Sequence, residues 1–360
     1  GRLTVEDSDF KNCKNSINYY LYPNYSNVGR IKRTDFLCND QIPAYNGESI
    51  SSFINLYGVY GVGIYGCTFK NEVDQADIAQ SLVNGQLTRE KGSGIVTWDA
   101  GFYCGRDYTT TTGAPCYHAT GGQSLFSGLD YGVSVLGSSS STQTKVIQSQ
   151  FKNNIYAIQN NGQWNSIFWK NEIEWNTSAT LLLEDGHVYG FYNDDGKAFV
   201  FADNTIDCQD EDDFTYYGAE IIDSDDTDTS VVAANLFQMT ANLLTTLHYN
   251  PTSAVDYVGT RTSGNNENLF INCNDYRNWG VELEIAGTIR DQDGATNVSL
   301  NAGNLFTSPC GGIEQTDINI SDNATNSWEY FENVANRPTC NDPAPSWNSG
   351  SNNAKCDNGF

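Results

Sequence analysis

The chain has 360 residues, 44 acidic against 19 basic side chains, and a net charge of −25. That length suits one large or two ordinary domains, and the charge repels nucleic acid, since no cluster is richer in bases than Arg30, Lys32 and Arg33. No apolar run reaches the roughly 18 residues of a membrane-spanning helix. With 41 asparagines and one methionine, the composition favours turns over helices.

The chain enters directly into strand-like sequence at Leu3-Thr4-Val5. A degenerate repeat follows, each unit opening on a short apolar anchor with polar flanks. In order these are Asp9-Phe10-Lys11-Asn12-Cys13, Thr34-Asp35-Phe36-Leu37-Cys38-Asn39, Cys67-Thr68-Phe69-Lys70-Asn71 and Ser124-Leu125-Phe126-Ser127-Gly128. Next come Gln150-Phe151-Lys152-Asn153-Asn154, Asn171-Glu172-Ile173, Asn204-Thr205-Ile206-Asp207-Cys208 and Asn235-Leu236-Phe237. The last two are Asn268-Leu269-Phe270-Ile271-Asn272-Cys273 and Asn304-Leu305-Phe306. Anchors recur every 22 to 36 residues or so, with one interval of about 57, a period that points to a solenoid or a propeller. Several anchors are followed by a second alternating strand, as in Gly132-Val133-Ser134-Val135, Ile155-Tyr156-Ala157-Ile158 and Gly280-Val281-Glu282-Leu283. Propeller blades usually need 40 residues or more, which most intervals here do not provide.

These Asn-x-Phe-x-Asn blocks resemble the right-handed parallel β-helix, the superfold of pectate lyases and many bacterial surface proteins. The expected fold is therefore an all-β solenoid of about ten coils over residues 1–320, continuing N-terminally in a longer protein. Residues 321–360 lose the repeat and read as an irregular cap or linker. The long intervals 73–118, 174–200 and 238–265 read as insertions that would build a groove or contact surface. The Asn-rich style is similar to large secreted Bacteroidota surface proteins, which implies an extracellular or cell-surface location.

Ten cysteines without a Cys-x-x-Cys spacing argue for disulfides in an oxidising compartment. Cys104 with Cys116, and Cys340 with Cys356, read as local staples. Closing a loop of roughly 13 residues would contribute about 3 kcal/mol. Cys13 and Cys38 follow the anchors of neighbouring coils, and Cys273 and Cys310 stand in a similar relation; each pair is a candidate disulfide or a buried thiol column.

Acidic residues cluster at Asp210, Asp212 and their neighbours, and again at Asp225, Asp226 and Asp228. Closely spaced carboxylates can hold Ca2+, or simply form a solvated acidic face. Trp98, Tyr103, Tyr108 and Tyr117 fall in or beside the largest insertion, where exposed rings could stack on sugars or merely anchor the loop. Catalytic signatures are sparse. Arg106, Lys145, Lys170 and Arg277 are candidate bases for a lyase, but none sits in a motif. The hydrolases of this superfold carry Gly-His-Gly, which this chain lacks; its Arg30-Ile31-Lys32 stands at the wrong end. His118, His187 and His248 are isolated. The expected function is a non-catalytic extracellular β-helix with a structural, adhesive or surface-assembly role. Its partners would be other parts of a surface assembly or an extracellular glycan. The competing expectation is a polysaccharide lyase or glycoside hydrolase, which rests on fold analogy alone.

Overall fold

Alternating apolar residues become short strands, and strands of equivalent sequence position pair in parallel. The computed structural model describes residues 3–20, 29–39, 52–73, 81–83, 86–88, 91–109, 118–119, 122–137, 142–176, 186–209, 214–224, 229–233, 235–239, 257–277, 279, 281–289, 304–306, 316–320, 329–332, 341–342 and 346–349. Among them no helix occurs. The chain divides into two compact units, Gly1–Asp185 and Gly186–Phe360. Both are built as a right-handed parallel β-helix, in which each coil gives one strand to each of three parallel sheets.

In the first unit the first sheet contains Thr4–Glu6, Arg30–Lys32, Tyr60–Tyr65, Gly101–Gly105, Lys145–Ile147 and Ile167–Trp169. The second holds the anchors, from Asp9–Lys11 to Glu172–Trp175. The third holds Asn15–Tyr20, Ser52–Tyr57, Ser93–Trp98, Tyr131–Leu136 and Tyr156–Asn161. Two antiparallel hairpin pairs, Ser81–Val83 with Gln86–Thr88 and Tyr108–Thr109 with His118–Ala119, interrupt the coils. Between them Ser93–Trp98 and Gly101–Gly105 are ordinary strands of the third and first sheets, so the interval 73–118 is not the single insertion its length suggests. In the second unit the same order runs from Val200–Ala202, Thr205–Cys208 and Thr215–Ile222 onward. Strand pairing continues past residue 320: Asn341–Asp342 pairs with Thr316–Ile320, and Glu329–Glu332 with Ser346–Ser349.

The corner between the first and second sheets takes two residues in most coils; after Gly101–Gly105 it spans residues 106–124 and ends on Ser124 before Leu125–Ser127. Its first is in the left-handed region at Asp7, Arg33, Gly66, Gln148, Lys170, Asp203 and Cys273. Its second is mostly a small polar residue, whose side chain binds backbone at Ser8, Thr34 and Asn171. Ser124 Oγ donates to Gly105 O, and in the second unit this position becomes a buried ladder. There the Asn204 amide donates to Asn235 Oδ1, Asn235 to Asn274 Oδ1, and Asn274 to Asn304 Oδ1, at 2.9 to 3.1 Å. Each link satisfies polar groups that water cannot reach.

The core is organised in columns. Phe10, Phe36, Phe69, Phe126 and Phe151 stack face on face, with centroids 5.1, 4.8, 4.6 and 4.8 Å apart. That is the distance between paired strands, so register alone brings the rings together. Gly94 and Gly132 lie across from this column. A Cβ at either would come within 2.6 Å of both a Phe ring and the carbonyl of the next coil.

Three further expectations change. Asn268–Cys273 is not an anchor of the second sheet: Leu269–Asn272 pairs with Ser230–Ala233 in the first, and the ring over Phe237 is Tyr276. The true equivalent, Asn274-Asp275-Tyr276, follows directly after Cys273, and two adjacent Asn-flanked aromatic strands look alike in sequence.

The Cys13–Cys38 pair is absent, and both residues are thiols. Register sets Leu37 opposite Lys11, which puts Cys38 level with Asn12. Cys38 points into the core while Cys13 sits one residue on, donating to Lys11 O from a half-exposed site.

The Cys104–Cys116 staple is likewise not formed. Cys104 is an inward residue stacked between Ile64 and Val146, and its thiol is free. Burial pushes that thiol up to about 12, and the Cys67 thiol up to about 11, which makes both poor nucleophiles. Cys273 is disulfide-bonded. Cys116, Cys310, Cys340 and Cys356 lie outside the described residues.

Replacing Phe126 by Ala opens a void in the middle of the aromatic column and should cost about 3–5 kcal/mol. Urea unfolding of F126A against wild type reads this as a lower midpoint.

Candidate functional site

The outer face of the third sheet in the first unit carries two columns side by side. In Ser52–Tyr57, Ile54 and Leu56 point inward, so Asn55 and Tyr57 point out. Parallel register repeats the choice. Asn18, Asn55, Val96, Ser134 and Gln159 form one outward row, and Tyr20, Tyr57, Trp98, Leu136 and Asn161 the next. The rings are open to solvent: Tyr20 is 61% exposed, Tyr57 45% and Trp98 45%. Tyr20 and Tyr57 are 6.0 Å apart, and Tyr57 and Trp98 stack nearly parallel at 6.1 Å. Two residues along the strand, about 6.8 Å away, the Asn55 amide donates to Asn18 Oδ1 at 2.7 Å, and Ser134 Oγ donates to Gln159 Oε1 at 2.7 Å. Aromatic faces beside amides suit a sugar, which offers an apolar face and a rim of hydroxyls.

On the outer face of the first sheet, Arg30, Gly63, Tyr103 and Lys145 stand in one register row. The next row runs Lys32, Tyr65, Gly105, Ile147. Tyrosine thus alternates with glycine in both directions. The Tyr65 ring lies over Gly63, where an added Cβ would meet it at 2.3 Å, and the Tyr103 ring lies beside Gly105. The two rings are 5.2 Å apart. With Tyr60, Gln143 and Lys145 they line a shallow depression of about 310 Å³. Burial raises the Tyr65 phenol, and the nearby Arg30 opposes that shift.

Beside this depression Asp107 is buried under two bases. Lys32 Nζ donates to one carboxylate oxygen at 2.9 Å and Arg33 to the other at 2.8 Å. Arg33 also binds Asp7 at 2.7 Å. Burial alone would raise the Asp107 carboxyl, but the hydrogen bonds from Lys32 and Arg33 outweigh it and hold the group below the usual carboxylate range.

In the second unit the third sheet carries a polar cluster. Register puts Tyr192, Glu220, Arg261 and Glu284 in one row. Arg261 lies 3.4 Å from Glu220 and 3.4 Å from Glu284, and donates to the Tyr217 hydroxyl at 3.1 Å. Tyr217 stacks on Tyr189 at 5.3 Å, with His187 edge-on to both. Burial raises the Glu220 carboxyl; Arg261 opposes the shift, while Glu284 and Asp194 add to it.

The aromatic residues singled out in the sequence do not form one set. Trp98 joins the third-sheet column and Tyr103 lines the first-sheet depression. Tyr108 lies in the hairpin strand Tyr108–Thr109, and Tyr117 is outside the described residues. Asp210, Asp212, Asp225, Asp226 and Asp228 are also outside them, and among the described residues no three His, Cys, Asp or Glu side chains gather as a metal site. Of the candidate bases, Arg277 is paired with Asp275 and Lys170 packs on the Trp169 ring at 4.2 Å, whereas Lys145 faces the depression.

Reading the sequence missed Tyr20, Tyr57, Tyr65, Glu220, Arg261 and Glu284. Aligning the third-sheet strands on Ile17, Ile54 and Ile95 would have put Tyr20, Tyr57 and Trp98 in one column. Comparison with known proteins returns no matching family model, no similar curated protein and no similar solved structure. No helix among the described residues is long and apolar enough to cross a membrane.

Because its folded value is depressed, Asp107 stabilises the fold fully above the unfolded carboxyl value of about 4, and this is lost as pH falls through the lower folded value. Asp107→Asn should cost about 1–3 kcal/mol at pH 7. It should also flatten the fall in melting temperature below about pH 4, as read by thermal melts across pH.

Proposed function

We propose that the protein is an extracellular β-helix scaffold that contacts glycan without cleaving it, in a structural, adhesive or surface-assembly role. The observation that carries this reading is the solvent-exposed column Tyr20–Tyr57–Trp98 beside the amides of Asn18 and Asn55. Such large rings are costly to leave in water, and their alignment along the coil axis suits an extended chain of sugar rings better than a single small molecule. The bonded cysteine at Cys273 is compatible with an oxidising compartment. Trp98→Ala and Tyr57→Ala should each weaken retention on polysaccharide roughly tenfold while leaving the melting temperature near wild type. Unchanged retention in both variants would refute the assignment.

A second reading, glycoside hydrolysis, is favoured by one observation. Glu220 and Glu284 are two carboxylates in unlike environments, one strand apart on either side of Arg261. Two strand spacings separate their backbones by roughly 10 Å, near the upper end of the range of about 6.5–9.5 Å for carboxyl groups in an inverting pair. In this reading Glu220, whose carboxyl burial raises, would serve as the proton donor to the leaving oxygen while Glu284 takes a proton from the attacking water. Reducing-end release that disappears in both Glu220→Gln and Glu284→Gln would establish this reading over the scaffold; no release from wild type would dismiss it.

A further inference from the structure

Four outward positions cross the first sheet of the first unit in register: Arg30, Gly63, Tyr103 and Lys145. Their chemistry is unusual for this molecule. Acids outnumber bases by 44 to 19, and most outward bases are held by a carboxylate, among them Lys32, Arg33, Lys152, Lys197 and Arg261. Neither Arg30 nor Lys145 has an ion pair among the described residues. Between them the Tyr65 ring lies over the backbone of Gly63, at a position where a side chain would collide with it. The Tyr103 ring stands 5.2 Å from Tyr65. The result is a depression of about 310 Å³ with aromatic walls, a glycine floor and Lys145 in its lining, while Arg30 stands outside it, in register with Gly63 on the next strand and close enough to act on the Tyr65 phenol.

We infer that this depression binds an acidic saccharide, with sugar faces against Tyr65 and Tyr103 and anionic groups, carboxylate or sulfate, paired with Arg30 and Lys145. The inference rests on the glycan-contact reading and adds the class of glycan. Three strand steps separate the two bases, roughly 14 Å, which fits an oligosaccharide carrying charges on separate units. Charge complementarity selects this occupant. The net charge of −25 repels anions, so an acidic chain is retained best where cations are left without a carboxylate partner. A neutral sugar could take only hydrogen bonds from Arg30 and Lys145, without the stronger charge-assisted pairing, and an acidic peptide would leave the flat tyrosine faces without a matching sugar face.

Affinity electrophoresis tests this with two matched pairs of polymers in the gel: hydroxyethylcellulose against carboxymethylcellulose, and dextran against dextran sulfate. Each protein is compared with its own mobility in a gel without polysaccharide. The charged member of at least one pair should retard the wild type more than its neutral partner. Carboxymethylcellulose alone would assign carboxylate, and dextran sulfate alone would assign sulfate. The double variant R30Q/K145Q should lose roughly tenfold in affinity for the charged polymer and none for the neutral one, while R30K/K145R restores it. Both sites point outward, and an unchanged melt confirms that the fold is intact. Retardation by the neutral polymers alone, or charged retardation insensitive to R30Q/K145Q, overturns the inference and leaves the glycan-contact reading standing. Retardation by no polymer overturns both.

Discussion

Parallel, in-register pairing is the constraint on which everything else depends. A side chain in this fold has its own counterpart from the neighbouring coil as its nearest neighbour, at one strand spacing. Inside, that turns five phenylalanines into a stacked column and four asparagines into a hydrogen-bonded ladder. Outside, the same rule turns Tyr20, Tyr57 and Trp98 into an aromatic row and Asn18 and Asn55 into an amide pair. Core and surface are two readings of one register, so the surface chemistry inherits the rigidity of the core.

Corners enforce that register. A coil can turn in two residues only if one of them adopts the left-handed region and the next binds backbone. Asp, Asn and Gly fill many of the left-handed positions, as expected, but Arg33, Gln148 and Lys170 do so as well. In the first unit one of these corners is fastened electrostatically, with Arg33 bridging Asp7 and the buried Asp107. That ion cluster neutralises Lys32 and Arg33, whereas Arg30 and Lys145 on the same face have no ion pair among the described residues.

Much of the architecture was legible because the repeat is a chemical one. Phe10, Phe36, Phe69, Phe126 and Phe151 announce the second sheet before any coordinate is known. The misplaced unit at Asn268–Cys273 shows the limit: where two Asn-flanked aromatic strands follow each other within a few residues, only pairing decides which belongs to which column. The Cys13–Cys38 pairing failed for a related reason. Spacing says which coils two cysteines occupy, but inward or outward orientation flips with a single residue, as Cys13 and Cys38 demonstrate. The candidate sites were the least legible part. Glu220, Arg261 and Glu284 are far apart in sequence, each in an ordinary strand, and no local motif marks them.

The exposed aromatic row has a consequence for how such a molecule changes over time. Since each coil contributes one position to the row, duplication or loss of a whole coil would lengthen or shorten the face by about 4.8 Å without disturbing the chemistry of the remaining positions. The contact surface is in effect a ruler graduated in coils. Its reach is set by repeat number and its preference by the residue at one outward position, so the two can be adjusted independently.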